Sequence, residues 1–258
     1  MYVAILPTES ADKSLAERVA TVIGRDLYAT RLLLAGRVPK IVAQCESIEA
    51  AQSIAQRLKA IGLSVIACLE SQLRKSPRSF TAHRVQFGQQ GIMFSNKSGQ
   101  TAMIESVEAL LIIAGKVETH ESREITKTRM KLNLPATLLT GGIPIRRRIT
   151  EITTLTDVLT ERFIRVYSKK NADSSIEIRQ SDFDYSCLSP KPDSSSLVHF
   201  SELTTRIKDA LPRAVFDDRL TGIFGLCLPH VNPWQNVDML CELIYLFTAG
   251  LPETHLDS

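Results

Sequence analysis

Apolar residues near the start of the chain follow the spacing of strands and helices in turn. Residues 2–6 form a short apolar run that predicts a strand. A helix follows, which Gly24 ends. Its apolar residues share one helical face: Leu15, Val19, Val22 and Ile23. Asp26 can cap a second, shorter helix that ends at Gly36.

A strand, a longer helix and a further strand complete this unit. Residues 40–45 have the β-branched centre of a strand, and Ser47 opens the helix behind them. The apolar stripe of this helix is the clearest in the chain: Ile48, Ala51, Ile54, Ala55, Leu58 and Ile61. Gly62 ends the helix, and residues 63–69 predict the closing strand. The predicted order is therefore β-α-α-β-α-β.

This unit resembles the C-terminal domain of the bacterial ribosomal stalk protein. The resemblance covers about residues 2 to 70 and rests on four segments: 24–27, 32–36, 38–40 and 47–62. The adaptor that delivers substrates to bacterial Clp proteases has a similar layout, so the resemblance bears on the fold more than on a role. It implies a small domain that presents its helical face to another protein. The alternative is a structural module that packs on its neighbour.

The chain differs from the stalk protein on the second helix. The stalk protein offers lysines there to translation factors, whereas this chain has Tyr28, Thr30 and Arg31. A ribosomal role is therefore not carried over. The same region, extended by Arg37 and Lys40, is the binding surface that we predict for the first domain.

A polar, basic stretch with one proline at 71–79 predicts a linker, which places one domain at 1–73 and a second at 80–258. The second domain is predicted to be mostly β, with strands in four regions: 80–117, 162–167, 175–179 and 183–188. A helix at about 197–211 follows them. Strands closed by a helix are similar in layout to a pleckstrin-homology-like half barrel. The predicted fold class is α+β.

Residues 116–160 interrupt this pattern. Threonines are frequent there and no amphipathic stripe is evident, so we expect a long insertion that is partly disordered. This range contains eight lysines and arginines and five acidic residues, an excess of three positive charges. Arg146, Arg147 and Arg148 form the most concentrated basic run, which predicts a loop able to meet phosphate or an acidic partner. A solvated loop without such a role is the alternative.

The last apolar segment predicts a helix that Asn232 caps and Gly250 ends. The helix is apolar nearly all round, which is typical of a buried helix or of a membrane span. A helix of about 17 residues reaches only ~26 Å, against the ~30 Å of a bilayer core, and Asp238 and Glu242 lie inside it. We therefore expect a helix that is buried or docks on a partner, and no membrane span.

Composition and charge exclude several classes of site. The net charge of +3 argues against a dedicated nucleic-acid binder. The five cysteines are far apart and without zinc-ligand spacing, as expected for reduced thiols in a cytoplasmic protein. We see no secretion signal, glycine-rich phosphate loop or nucleophile elbow, and we expect no metal and no cofactor. An acid–base site would have to assemble from scattered residues: His199, His230 and Asp217.

These observations lead to a non-catalytic cytoplasmic protein that binds another protein or regulates it. The alternative is a nucleic-acid-binding or ribosome-associated protein that uses the basic run at 146–148 and the basic face around Arg31, Arg37 and Lys40. An enzyme built around His199 and Asp217 is a third hypothesis, from a different class.

Overall fold

The computed structural model describes seven ranges of the chain: residues 1–7, 12–74, 79–132, 146–169, 175–188, 195–222 and 232–250. Helices and sheets are mixed in it, so the fold class is α+β, as the sequence predicts. The chain divides into two compact units. One comprises residues 1–117 and 161–258, and the other comprises residues 118–160.

The first elements follow the predicted order. They are β1 (Tyr2–Leu6), α1 (Lys13–Ile23), α2 (Leu27–Leu34), β2 (Lys40–Gln44), α3 (Ile48–Ala60) and β3 (Ser64–Cys68). The three strands form one sheet in the order β2-β1-β3, with β1 antiparallel to both neighbours. Asp12 caps α1 by accepting a hydrogen bond from the Leu15 amide at 2.6 Å.

The two faces of this sheet belong to two different cores. Val3 and Ile5 of β1 pack with Leu58 of α3 in the core beneath the three helices. Ala4 and Cys68 belong instead to a second core, which is built around the C-terminal helix. The short helix α4 (Glu70–Arg74) begins two residues after β3, and its Leu73 is buried in that second core. Residues 70–74 are thus helical where a linker was expected.

The remaining strands form two sheets. A three-stranded antiparallel sheet consists of β5 (Arg84–Phe87), β6 (Gly91–Ser95) and β7 (Thr101–Glu105). A five-stranded sheet has the order β11-β8-β9-β10-β4 and consists of β4 (Phe80–Ala82), β8 (Ala109–Leu132), β9 (Arg146–Ser168), β10 (Ser175–Arg179) and β11 (Val215–Leu220). Within it, β4 runs parallel to β10 and β11 runs parallel to β8. Strands joined only by hairpins would all be antiparallel to their neighbours, so these two pairs need longer connections.

Three sequence-based expectations for this part of the chain are wrong. Residues 185–188 form a 3₁₀ turn, where a pairing strand was expected. Asp217 and Asp218 lie within β11, a strand outside the four regions in which the sequence predicts strands. Residues 118–132 and 146–160, expected to be irregular, continue β8 and β9, so the basic run at 146–148 begins a strand instead of lying in a loop.

Two helices complete the first unit. Helix α5 (Ser196–Ala210) starts at the cap Ser195 and buries Phe200, Leu203 and Ile207 against the five-stranded sheet and the three-stranded sheet. Helix α6 (Pro233–Ala249) starts at Asn232, whose side chain accepts a hydrogen bond from the Trp234 amide at 3.0 Å. Leu243 and Ile244 of α6 are buried, as predicted for this segment. Within the described part of the chain, no helix has the length and apolar character needed to cross a membrane.

Candidate interaction surface

Helix α2 is the element on which the sequence places the binding surface of the first domain. Asp26 fixes its start, because the Asp26 carboxylate accepts a hydrogen bond from the Ala29 amide at 2.9 Å. The hydroxyl of Thr30 donates to the Asp26 carbonyl at 2.8 Å. Thr30 and Leu34 are fully buried, so one side of the helix is anchored in the core of the first sheet.

The opposite side of α2 carries exposed apolar side chains. Tyr28 is 73% exposed and Leu32 is 55% exposed, and Tyr28 has the highest value among the large apolar side chains that the structure describes. The two residues lie one helical turn apart, so they are neighbours on the helix surface. Arg31 lies between them in sequence and is also exposed. We refer to Tyr28, Arg31 and Leu32 as the α2 face.

Lys40 serves as a C-terminal cap for α2. Its ammonium group donates to the carbonyl oxygens of Leu32 and Ala35, at 2.5 and 2.6 Å. These carbonyls have no intrahelical partner at a helix end, and a cation is favoured there by the helix dipole. Partial burial lowers the pKa of Lys40. Lys40, which the sequence predicts as a binding residue, therefore holds the C-terminal end of α2 in place.

The chain that leaves α2 is tied to strand β11. Nη1 of Arg219 donates to the carbonyl oxygen of Arg37 at 3.2 Å. The same guanidinium is held by Asp217, whose carboxylate oxygens lie 2.9 and 3.0 Å from Nε of Arg219. Hydrogen bonds between side chains and the backbone therefore fix both ends of α2. The carboxylate of Asp217, which the enzyme hypothesis needs as an acid or base, is engaged in this ion pair.

Positive charge predominates around the α2 face. Between residues 25 and 40 the basic residues are Arg25, Arg31, Arg37 and Lys40, and Asp26 is the only acidic one, a net charge of +3. The carboxylate of Asp26 is directed to the helix N-terminus as a cap. An exposed tyrosine and leucine among arginines is a composition typical of contact sites for acidic protein surfaces.

The other predicted binding residues lie in the second compact unit. Arg146, Arg147 and Arg148 are the first residues of β9 and belong to residues 118–160. The structure thus brings Arg31, Arg37 and Lys40 together around one helix, and it assigns the three consecutive arginines to a separate unit.

The residues of the enzyme hypothesis have different surroundings. His199 lies on α5 with its ring 5.6 Å from that of Tyr185, whereas Asp217 pairs with Arg219 of the same strand. His230 lies outside the described residues. Across the described ranges, no group of three or more His, Cys, Asp or Glu side chains is placed to hold a metal ion.

A polar cavity of about 500 Å³ lies where β4 begins, beside the turn between β6 and β7. Lys97 and Asp182 line it and form an ion pair with each other. Arg84, the other basic residue near this hairpin, pairs with Asp184 at 2.7 Å. The backbone amide and the hydroxyl of Ser186 donate to the Asp184 carboxylate and, with the Arg84 guanidinium, hold the pKa of Asp184 below its usual value.

A buried ionic cluster that the sequence pattern does not reveal lies beneath α6. Arg165 is 2% exposed and Glu177 is fully buried, and Nε of Arg165 donates to Glu177 at 2.7 Å. Arg165 also pairs with Asp238 of α6, and Arg179 pairs with Glu177 at 2.6 Å. The indole of Trp234 covers Arg179, with 4.2 Å between the guanidinium carbon and the ring centroid. The alternation of β9 and β10 indicated one polar face but not that a helix covers it.

Comparison with known proteins adds no relative to this description. The chain matches no protein-family model. It has no significant match among the curated proteins and none among the solved structures. The function is therefore inferred from the structure of this chain alone.

Proposed function

We propose that this is a non-catalytic protein that binds another protein, and that the α2 face is its binding site. The observation that carries the proposal is the exposed pair of Tyr28 and Leu32 on a helix whose two ends are fixed by side-chain hydrogen bonds. The element order of residues 2–68 supports the resemblance to the stalk-protein domain, whose helical face meets other proteins.

The fixed ends of α2 favour binding. A surface that is already ordered in the free protein loses little conformational entropy when a partner docks. Tyrosine and arginine are the residues most often found at the energetic centre of protein interfaces, and here Tyr28 and Arg31 are both exposed. The α2 face therefore fits a partner that buries the Tyr28 and Leu32 side chains against an apolar residue of its own.

The charge around α2 selects an acidic partner. The net charge of +3 over residues 25–40 equals that of the whole chain, so this stretch is a local concentration of positive charge. Complementary charge increases the rate of association and disfavours basic partners. We place this binding in the cytoplasm, a proposal supported by the four described cysteines, which are free thiols: Cys45, Cys68, Cys187 and Cys241.

A photo-crosslinking experiment tests the proposal. The full chain carries benzoylphenylalanine at position 28 or, as a control of similar exposure, at position 103 on β7, where Met103 is 56% exposed. We expect a discrete adduct with an acidic protein from position 28 only, after irradiation in cytoplasmic extract of the source cells. Arg31→Glu should abolish it. Equal adducts from both positions, or an adduct that is insensitive to Arg31→Glu, would contradict the proposal.

A further inference from the structure

Strand β7 lies at an open edge of the three-stranded sheet. The sheet has the order β5-β6-β7, so its two edges are β5 and β7. Beside β5 the edge is occupied, because the Asp184 amide donates to the His83 carbonyl at 2.8 Å and the Asp184 carboxylate pairs with Arg84. Beyond β7, the described part of the chain places no further strand. This edge is therefore open to pairing.

The register of β6 and β7 decides which residues present backbone groups at the open edge. The Asn96 amide donates to the Gln100 carbonyl at 3.0 Å, and the Ser106 amide donates to the Gln90 carbonyl at 2.9 Å. Bonded and non-bonded pairs alternate along an antiparallel ladder, so the even-numbered residues of β7 bond to β6. The residues whose N–H and C=O groups point away from β6 are Thr101, Met103 and Glu105.

The exposed face of this edge carries methionine. Met103 is 56% exposed, and Met93, which lies opposite it on β6, is 39% exposed. On the other face Ile104 is buried and Ala102 packs on the same core. Natural edge strands usually carry charges, prolines or bulges that hinder pairing with another chain. The edge strand β11 has three charged residues, whereas β7 has one, Glu105, at its end.

We propose that β7 pairs with β7 of a second copy of this chain, in antiparallel direction around a twofold axis at Met103. Met103 then faces its own counterpart, with about 5.5 Å between the two Cα atoms. Thr101 faces Glu105 of the other copy, whose carboxylate accepts from the threonine hydroxyl. On the core side Ala102 faces Ile104, a small side chain against a large one. The two sheets become one sheet of six strands, an association that goes beyond the protein binding proposed for α2.

The sequence of β7 favours a second copy as the partner. Because the axis passes through Met103, the pairs of Thr101 with Glu105 and of Ala102 with Ile104 each form twice. A register shifted by two residues would place Glu105 opposite Met103 or opposite Gly99, so the side chains match in one register. Charge is compatible as well, since the two Glu105 carboxylates are separated by four strand positions, about 13 Å.

The short contact makes the dimer weak and reversible. Five strand residues from each copy contribute, against about 20–30 residues a side in a standard interface. We therefore expect monomers in dilute cell extract and dimers at concentrations of about 10–500 µM. A crosslinked adduct of two copies has twice the mass of the chain, which distinguishes it from an adduct of the α2 face with an acidic protein.

Sedimentation equilibrium of the full chain, from about 5 to 500 µM, tests the inference. The average mass should rise with concentration towards twice that of the chain. Met103→Lys should weaken association by about tenfold or more, because it places two like charges opposite each other, and Met103→Glu should do the same. An equimolar mixture of the two variants should associate again, because each lysine then faces a glutamate.

Val215→Lys is the matched control, since Val215 is 53% exposed and lies on β11, which is also an edge strand. This variant should associate as the unsubstituted chain does. The inference is overturned if the chain remains monomeric at the highest concentration, or if Val215→Lys weakens association as much as Met103→Lys. It is also overturned if the mixture of Met103→Lys and Met103→Glu stays monomeric.

Amide exchange with solvent, followed by nuclear magnetic resonance, tests the same pairing without a substitution. The Met103 amide should exchange more slowly at the highest concentration than at the lowest, because it donates to the second copy in the dimer. The Met93 amide is the internal control, since Met93 lies opposite Gln86 of β5 within the sheet and should exchange equally at both concentrations. Equal exchange of Met103 at both concentrations overturns the inference, and this result stands even if a variant at position 103 fails to fold.

Discussion

Arg165 of β9 and Asp238 of α6 form an ion pair that joins the five-stranded sheet to the C-terminal helix. Arg165 is almost fully buried, and its second partner, Glu177 of β10, is buried completely. Burial alone would lower the pKa of Arg165, but the carboxylates of Glu177 and Asp238 raise it, so the guanidinium stays charged. The position of α6 therefore depends on charge as well as on apolar packing.

Glu177→Gln should destabilise the protein strongly. The change leaves the guanidinium of Arg165 buried with one carboxylate fewer, and breaking a buried ion pair costs about 3–5 kcal/mol. Urea unfolding followed by circular dichroism measures the loss in the free energy of unfolding. Glu202→Gln is the control, because Glu202 and Arg206 form a pair at 2.7 Å that is about 40% exposed, and such pairs contribute about 0–1 kcal/mol. Similar losses in both variants would contradict the structural role of the cluster.

Changes on the α2 face should leave the fold intact. Tyr28→Ala and Leu32→Ala remove exposed side chains, so each should change the free energy of unfolding by no more than about 0.5 kcal/mol. Leu34→Ala on the same helix removes a fully buried side chain and should cost about 2–5 kcal/mol. A large loss from Tyr28→Ala or Leu32→Ala would mean that these side chains stabilise the fold and are not available to a partner.

Lys40→Ala should loosen the C-terminus of α2. The change removes the hydrogen bonds to the carbonyls of Leu32 and Ala35, and we expect a loss of about 1 kcal/mol in the free energy of unfolding. Amide hydrogen exchange should become faster in α2 and remain unchanged in α3. Lys13→Ala is the control, because Lys13 is exposed and pairs with Glu17 of its own helix, at 3.7 Å. Unchanged exchange in α2 would rule out the capping role.

Stability should fall at alkaline pH because of two buried thiols. Burial raises the pKa of Cys241 to about 12 and that of Cys68 to about 11, from an ordinary value of 9.0. Both thiols therefore stay protonated in the folded state when they already ionise in the unfolded state. Their contribution to stability is complete below pH 9 and is lost as the pH rises from about 9 towards these pKa values.

Guanidinium unfolding at pH 8 and at pH 10.5 measures this loss. Each thiol should lower the free energy of unfolding by about 1.4 kcal/mol per pH unit in this window. Cys241→Ala should show a smaller fall between the two pH values than the unsubstituted chain, whereas Cys45→Ala, at a partly exposed position, should not. A fall that Cys241→Ala leaves unchanged would show that other groups cause it.

Local patterns predicted the first sheet and its helices because each element has its own period and punctuation. The stripe from Ile48 to Ile61 and the glycines at 24 and 62 mark helices without reference to the rest of the chain. The same holds for α6, whose cap Asn232 and terminal Gly250 are both where the sequence indicates. Tyr28 and Arg31, which the sequence predicts as binding residues, are exposed on α2, and binding itself stays a prediction. Lys40, predicted with them, caps the helix, and the exposure of Leu32 was not predicted.

The strand segments at 118–132 and 146–160 escaped prediction for a physical reason. A strand is recognised by apolar residues at every second position, and that alternation arises when one face packs on a core. Residues 118–132 and 146–160 are rich in threonine and charged residues and lack that alternation, so no local pattern marks them as strands. Strand β11 was missed similarly, since Asp217 and Asp218 interrupt its apolar pattern. The cover over Arg165 and Glu177 comes from a helix more than 50 residues away, which no local pattern reveals.

The second core joins Ala4 and Cys68 of the first sheet to Leu243 and Ile244 of α6. The ribosome makes the first sheet before α6, so the nascent chain carries a sheet with one apolar side uncovered while some 160 further residues are added. A chain cut short before α6 keeps that side uncovered permanently. Premature termination therefore yields an aggregation-prone fragment, and a chaperone that shields apolar strands during synthesis would be needed most by this protein until α6 emerges.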